Sequence, residues 1–144
     1  LNLITELFEG GDLFEKLEEE GAFSEQQASI YFKQILNAMT YSHKKHVVHR
    51  DLKPEHIMFK TKSPGSPITI LDYGAANVFH LDASLTKHQG TPYYMAPEVV
   101  KGDHDEKSDV WSAGIILYIM LTECIPFDGD TDNEIFESII EEDL

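Results

Sequence analysis

The chain has 144 residues, 42% of them hydrophobic, and its 26 aspartates and glutamates outnumber 11 lysines and arginines, which gives a net charge of −15. At this length, that apolar share predicts one globular domain, or a large part of one, with a substantial core, and it excludes a disordered tail. The acidic balance argues against binding to nucleic acid or to an anionic membrane, whose phosphates require a basic face, and it favours basic partners.

The first elements predicted along the chain are a strand and a short helix. Residues 1–5 alternate weakly toward apolar β-formers and predict a strand. Asp12 is placed to cap a helix from Leu13 to Glu20, which Gly21 ends.

A longer helix follows. Ser24 with Gln27 matches a capping box, and the helix is expected to run to about Lys44, where positive charge suits its carboxyl end. The apolar residues at helical spacing are Ala28, Phe32, Ile35, Leu36 and Met39.

Short β-like runs separated by polar turns come next. They are Val47-Val48, Ile57 to Phe59 and Ile68 to Leu71, with a plain turn at residues 63–67. From Asp72 to about Gly90 no period is evident, which predicts a long loop of the kind that is functional or mobile.

The last part of the sequence is helical. A helix that starts at Ser108 or Asp109 is apolar nearly all round from Val110 to Leu121, which predicts a central helix buried on every side, with Trp111 and Tyr118 in the core. A buried carboxylate at Asp109 needs donors, and backbone amides of a neighbouring loop would supply them. A final helix from Thr131 or Asp132 should turn four apolar side chains inward: Ile135, Phe136, Ile139 and Ile140.

Compartment and chain ends give weaker indications. The longest apolar stretch, around residues 115–121, is far too short to span a bilayer, and no signal-peptide pattern is present. The single Cys124 has no partner for an internal disulfide and is interpreted as a packing residue. We therefore expect a cytoplasmic protein. The apolar run at Leu1 and the helical pattern directly before Leu144 indicate a segment cut from a longer chain.

The most reactive stretch is His49 to His56, which holds two carboxylates, two cations and two imidazoles behind an apolar pair. Asp51 has the chemistry of a proton acceptor, and Lys53 has that of a group which stabilises developing negative charge. Arg50 is the only arginine of the chain. These eight residues alone support a reactive loop and an ordinary solvated turn equally.

Four motifs together resemble the larger lobe of a eukaryotic protein kinase. They occur in that family's order and spacing at residues 49–56, 72–74, 90–98 and 109–114, and four in register are far more specific than one. Residues 7–14 and 115–118 are most similar to the calcium- and calmodulin-regulated kinases, in particular the calcium-dependent kinases of plants and protists. The resemblance implies that residues 1–144 are a partial protein kinase domain, mainly α with short β-strands, built round the buried central helix and lacking the small lobe.

The resemblance also implies catalytic roles. Asp51 resembles the base that orients the substrate hydroxyl, and Lys53 the cation that neutralises the transferring phosphoryl group, which is typical of serine/threonine specificity. Asp72 resembles the magnesium-binding aspartate, followed by Tyr73 in place of the usual phenylalanine. Thr91 would hold Asp51 and Lys53 together. The implied ATP contacts are Thr5, Glu6, Phe8, Asp12, Met58 and Asp72, and the implied structural or regulatory residues are His49, Arg50, Tyr73, Gly74, Glu98 and Asp109.

Substrate choice is expected to follow charge. Asp12, Glu55 and Glu137 match positions at which basophilic relatives hold arginine or lysine upstream of the phosphorylated residue. Ordinary surface carboxylates are the alternative. A basic protein or peptide substrate is the prediction, with Glu55, Thr91 and Glu137 as its contacts.

His56 departs from the family pattern, which has a metal-binding asparagine at this place. An imidazole nitrogen suits magnesium less well than an amide oxygen does, and manganese tolerates it better. We expect an impaired but functional kinase. The alternatives are a tolerated variant, a pseudokinase that scaffolds or only binds nucleotide, and a non-catalytic acidic interaction module, against which the motifs argue.

Other signals concern partners outside the chain. In the family, Glu98 pairs with an arginine from a later helix, which must lie beyond Leu144 or be lost, and the segment alone is expected to be inert. A calcium-sensor or autoinhibitory segment outside the chain would regulate the kinase. The alternative is regulation by phosphate on Ser84 or Thr86, paired to Arg50.

The triplet His43, His46 and His49 resembles a metal cluster, but a predicted helix-to-strand change breaks any common face. His80, His88 and His104 are expected to face solvent.

Overall fold

The structure, a computed structural model, describes residues 4–78, 90–102 and 105–141, which contain five α-helices, three single-turn 3₁₀ helices and four short strands. The helices are α1 (Leu13–Glu20), α2 (Glu25–Lys44), α3 (Pro97–Val100), α4 (Lys107–Thr122) and α5 (Asp132–Glu141). The strands are β1 (Val47–Val48), β2 (Ile57–Phe59), β3 (Ile68–Ile70) and β4 (Asn77–Val78). This mainly helical content with few short strands agrees with the predicted fold class.

Both predicted amino-terminal helices are confirmed: α1 has a reciprocal cap at Asp12, whereas α2 has only the serine half of the capping box predicted at Ser24. The Asp12 carboxylate accepts a hydrogen bond from the Glu15 amide at 2.9 Å, and the Glu15 carboxylate accepts one from the Asp12 amide at 3.2 Å. The Ser24 hydroxyl accepts from the Gln27 amide at 3.3 Å. Because these side chains satisfy amides that have no partner within the helix, each helix begins where its capping residue stands.

The strands form two antiparallel pairs. In one pair Val47 of β1 lies opposite Val78 of β4, and in the other Ile57 of β2 lies opposite Ile70 of β3. The turn between β2 and β3 is closed by the Ser66 amide and the Ser63 carbonyl at 3.1 Å. The two pairs flank residues 49–56 and bring residues 71–76 beside them.

Two predictions are wrong within the described residues: the strand at the amino terminus, and the loop without secondary structure from Asp72 to Gly90. Ile4 and Thr5 are outside any strand, and Ile4 is 93% exposed, because no described segment supplies a neighbouring strand for pairing. Asn77 and Val78 form β4, which is too short to show a sequence period. Residues 79–89 lie outside the described part.

The hydrophobic core lies between α2 and α4, with α1 and the β2–β3 pair packed at one end. Leu52, in the middle of the polar stretch 49–56, is fully buried in this core. Its burial fixes the loop from below, so the flanking polar side chains are held above a rigid base. The largest fully buried side chains include Phe59, Phe127, Leu13, Ile35, Leu52, Ile57, Ile115, Ile116 and Met120.

The prediction that α4 is buried on every side is wrong for one face. Val110 is 53% exposed, and Tyr118 and Leu121 on the same side of the helix are also exposed, because no described residue packs over them. Ile140 of α5 and Cys124 are exposed as well, against the predicted inward and packing positions. No helix of the described ranges is long and apolar enough to span a membrane.

Candidate active site

The carboxylate of Asp109, in the first turn of α4, fixes the start of the loop 49–56. It is 1% exposed, and its two oxygens accept hydrogen bonds from the amides of His49 and Arg50, each at 2.9 Å. Arg50 has a left-handed backbone (φ 68°), a conformation that needs such support in a residue with a side chain. The anchor therefore sets the direction in which the chain enters the loop.

His43, near the end of α2, is a third donor to this anchor. Its Nε2 atom lies 2.7 Å from an Asp109 oxygen, although the two residues are 66 positions apart. Sequence reasoning considered His43 only as part of a triplet with His46 and His49, and no sequence signal links it to Asp109. The His49 backbone amide shares that Asp109 oxygen, but the His49 ring contacts the Leu71 carbonyl instead, so the two imidazoles do not meet at one site.

A single hydroxyl joins the proposed base and the proposed phosphoryl clamp. The Thr91 hydroxyl donates to an Asp51 oxygen at 2.8 Å and accepts from the Lys53 ammonium at 3.3 Å. Gly90 allows this approach, because a Cβ there would lie 2.8 Å from the Arg50 carbonyl oxygen and its φ of 133° disfavours other residues. A carboxylate and an ammonium are thus held side by side at the surface of the loop.

His49 connects the loop to the residues after β3. Its Nε2 donates to the Leu71 carbonyl at 2.9 Å, since a carbonyl only accepts, and its Nδ1 accepts from the Asp51 amide at 3.3 Å. Its ring meets the Tyr73 ring edge-on, with centroids 4.6 Å apart. The positions of Asp51 and Asp72 are therefore linked through one buried imidazole.

His56 lies between Asp51 and Asp72. Its Nδ1 donates to the Asp51 carbonyl oxygen at 2.8 Å, which leaves Nε2 directed at an Asp72 carboxylate oxygen 3.3 Å away. The other Asp72 oxygen accepts from the Gly74 amide at 3.2 Å, and the Asp72 side chain is 61% exposed. Nε2 and the carboxylate oxygen therefore both present lone pairs to the space between them, where a cation would be stabilised.

This donor pair fits a divalent cation. Asp72 offers a hard oxygen and His56 an imidazole nitrogen, a mixed set that suits manganese better than magnesium. Within the described ranges, no three His, Cys, Asp or Glu side chains gather in a metal-binding arrangement. An ion held by Asp72 and His56 would take further ligands from phosphate oxygens and water, as magnesium does at nucleotide sites.

The residues expected to contact the nucleotide are only partly brought together. Asp12 faces Met58 of β2 in an isolated antiparallel bridge. Thr5 and Glu6 are exposed and make their contacts elsewhere: the Thr5 hydroxyl donates to the Glu6 carbonyl at 3.1 Å, and the Glu6 carboxylate pairs with Lys60 at 3.0 Å. Phe8 is half-buried.

Two carboxylates expected to bind substrate have distinct surroundings. Glu137 lines an open cavity of about 330 Å³ together with other acidic groups: Asp128, Glu134 and Glu141. Glu55 is exposed on the loop and lies close enough to the buried Tyr94 to affect it. Burial raises the pKa of the Tyr94 phenol far above its usual value, and the charges of Glu55 and Asp51 raise it further. Tyr94 is therefore a neutral neighbour of both carboxylates, which sequence reasoning missed.

Arg50 and Glu98 are predicted residues that the structure also describes. The Arg50 guanidinium donates through Nε to the Ala75 carbonyl at 2.6 Å, which links it to the segment after Asp72. Glu98 is half-buried at the start of α3. Ser84 and Thr86, and also His80, His88 and His104, fall outside the described residues.

Comparison with known proteins gives one family. The model of the family described as protein kinase domain matches residues 1–144. The chain is 44% identical over 139 residues to Calcium-dependent protein kinase 5 of Plasmodium berghei (strain Anka), an alignment that covers 96% of the chain and 25% of that relative. It is 43% identical to Calcium-dependent protein kinase 5 of Plasmodium falciparum (isolate 3D7), covering 96% and 24%, and 44% identical to Calcium-dependent protein kinase 3 of Plasmodium yoelii yoelii, covering 95% and 26%. The chain thus spans about a quarter of the length of these relatives. Its predicted resemblance to the protein kinases, and among them to the calcium-dependent kinases, is confirmed.

Proposed function

Because the chain belongs to the protein kinase family, we propose that residues 1–144 are the larger-lobe part of a serine/threonine kinase that transfers phosphate from ATP to basic proteins. The observation that carries this proposal is the Thr91 hydroxyl, which holds Asp51 and Lys53 side by side. A proton acceptor beside a fixed cation is what transfer of a phosphoryl group to a hydroxyl requires.

Each group has one task in the proposed reaction. Asp51 accepts a hydrogen bond from the substrate hydroxyl and takes its proton as the oxygen forms a bond to the γ-phosphorus of ATP, while the bond from that phosphorus to the bridging oxygen breaks and ADP leaves. Lys53 stabilises negative charge on the transferring group, and Thr91 keeps the two side chains in register. Asp72 and His56 would hold a divalent cation, which supplies charge neutralisation at the phosphates of ATP.

The part of a kinase that covers the nucleotide phosphates is expected to come from residues other than these 144. The nucleotide-contact residues Thr5 and Glu6 are exposed, which agrees with a surface that another part of the protein would cover. We propose that the segment alone is inert and that Glu98 requires an arginine from elsewhere, since Arg50 is the only one here and binds Ala75. Phosphate transfer by residues 1–144 alone would contradict this proposal.

Regulation is proposed from the relatives alone. Since they are named calcium-dependent, we propose a calcium-sensing or autoinhibitory segment outside this chain.

A pseudokinase that binds nucleotide without efficient turnover is the second candidate, and His56 is the observation that favours it. The imidazole occupies the space between Asp51 and Asp72 and offers nitrogen where an amide oxygen is expected. We favour an impaired but active kinase because Asp51, Lys53 and Asp72 are all present.

Replacing His56 with asparagine in the complete kinase is expected to raise the magnesium-dependent kcat about tenfold and to reduce the preference for manganese. The amide oxygen is the harder ligand, and the amide nitrogen still donates to the Asp51 carbonyl. Initial rates in magnesium and in manganese measure the effect. The matched control is His46→Asn, because His46 is exposed and its left-handed backbone (φ 59°) tolerates asparagine. An unchanged magnesium-dependent rate would reject this account of His56.

A peptide substrate with arginine upstream of the phosphorylated residue is expected to be used better than the same peptide with alanine there. Glu55→Gln and Glu137→Gln should each raise KM for the arginine peptide about fivefold and leave kcat nearly unchanged, since an exposed ion pair contributes about 1 kcal/mol. Glu18→Gln, on the exposed side of α1, is the control. Equal turnover of the two peptides by the parent enzyme would exclude basic specificity.

A further inference from the structure

Tyr73 makes a hydrogen bond that the phenylalanine expected at its position could not make. Its phenolic oxygen lies 3.1 Å from the hydroxyl of Ser42, in the last turn of α2. The ring also packs edge-on against His49. A phenylalanine would keep the ring contact and lose the hydroxyl pair, so the bond to α2 is a property of this sequence.

The residue before Tyr73 needs support. Asp72 has a left-handed backbone (φ 58°, ψ 64°), which is unfavourable for a residue with a side chain, and it is exposed. The turn Tyr73–Ala75 that follows is short, and Tyr73 is itself 42% exposed. The conformation of Asp72 therefore depends on contacts made by its neighbours in the turn.

The last turn of α2 contacts both halves of the site. Ser42 bonds to Tyr73, next to Asp72, while the adjacent His43 bonds to Asp109, which anchors the start of the loop that carries Asp51. Consecutive residues of a helix are rigidly related. This helical turn is thus a further link, beside those through His49 and His56, between the segment of Asp72 and the loop of Asp51.

We propose that Ser42 and Tyr73 are positioning residues that form a latch, in which their hydroxyl pair holds Asp72 in the conformation that presents its carboxylate beside His56. The inference rests on the proposed function for its consequence in catalysis. Its structural content, that the hydroxyl pair restrains residues 72–76, does not depend on whether the protein is active.

The structural part is tested in the metal-free complete kinase by hydrogen exchange. Tyr73→Phe and Ser42→Ala should each speed amide exchange of the segment 72–76 about threefold, the size expected for one exposed hydrogen bond, and the double variant should be no faster than either single one. Ser42→Thr, which keeps a hydroxyl, should restore the slow rate. The controls are Tyr41→Phe, on an exposed tyrosine, and Ser29→Ala, in the same helix.

The catalytic part is tested by kinetics of the same variants. The magnesium concentration for half-maximal rate should rise about threefold while KM for the peptide substrate stays constant, a split that general loss of structure would not produce. Unchanged or additive hydrogen-exchange effects overturn the latch. If the single and double variants exchange equally fast but the magnesium dependence of the rate is unchanged, the hydroxyl pair restrains residues 72–76 and its proposed catalytic consequence is overturned. An inactive wild-type enzyme with coupled exchange effects contradicts the proposed function and leaves the restraint standing.

Discussion

Replacing Asp51 with asparagine in the complete kinase is expected to lower kcat about a thousandfold, within the range that a positioned general base contributes. Asparagine keeps an oxygen that can accept the Thr91 hydroxyl, so the loop geometry should survive while the proton acceptor is lost. KM for ATP and for the peptide should therefore change little. Steady-state kinetics with a basic peptide measure both parameters.

The control for this variant is Asp130→Asn, an equivalent change at an exposed position before α5. It should leave kcat unchanged. A loss of less than tenfold for Asp51→Asn would show that Asp51 is not the base, and a large rise in KM would show that it mainly binds substrate.

Replacing Asp109 with alanine is expected to cost about 3–5 kcal/mol of unfolding free energy, because it removes a buried charged acceptor and leaves its donors without a partner. Those donors are the amides of His49 and Arg50 and the ring of His43. Asp109→Asn should cost less, since one acceptor oxygen remains. Urea unfolding of the complete kinase measures the difference.

Two further variants serve as comparisons for Asp109→Ala, one at the surface and one at a donor to Asp109. Asp130→Ala should cost less than about 0.5 kcal/mol, as surface substitutions do. His43→Ala should cost about 1–2 kcal/mol, since it removes one of three donors and leaves the carboxylate with two. A cost below about 1 kcal/mol for Asp109→Ala would mean that the loop is fixed by other contacts, Leu52 above all.

Local signals explain which parts of the fold were predictable. The caps at Asp12 and Ser24 and the periodicity behind them located α1 and α2, because a helix start is decided by residues three or four positions apart. The short strands β1 to β3 follow apolar runs between turns. β4 was missed because two residues carry no period, and its existence depends on pairing with β1 thirty residues earlier.

Contacts between segments far apart in the chain could not be predicted from the sequence. Motif spacing placed Asp51, Lys53, Thr91 and Asp109 as candidates, but it gave no geometry for His56 and no reason to connect His43 with Asp109. The partners Ser42 and Tyr73 are 31 residues apart and lie in different elements. The prediction that α4 is buried on every side was wrong for a related reason. Composition shows that a helix is apolar, but it does not show which neighbours cover each face.

The most direct test of the account is phosphate transfer to an arginine-containing peptide by the complete kinase, measured in magnesium and in manganese beside the Asp51→Asn variant. The account predicts transfer that requires Asp51 and is faster in manganese than in magnesium, because His56 stands at the metal site. Nucleotide binding without Asp51-dependent transfer in either metal would contradict it and would identify the protein as a pseudokinase.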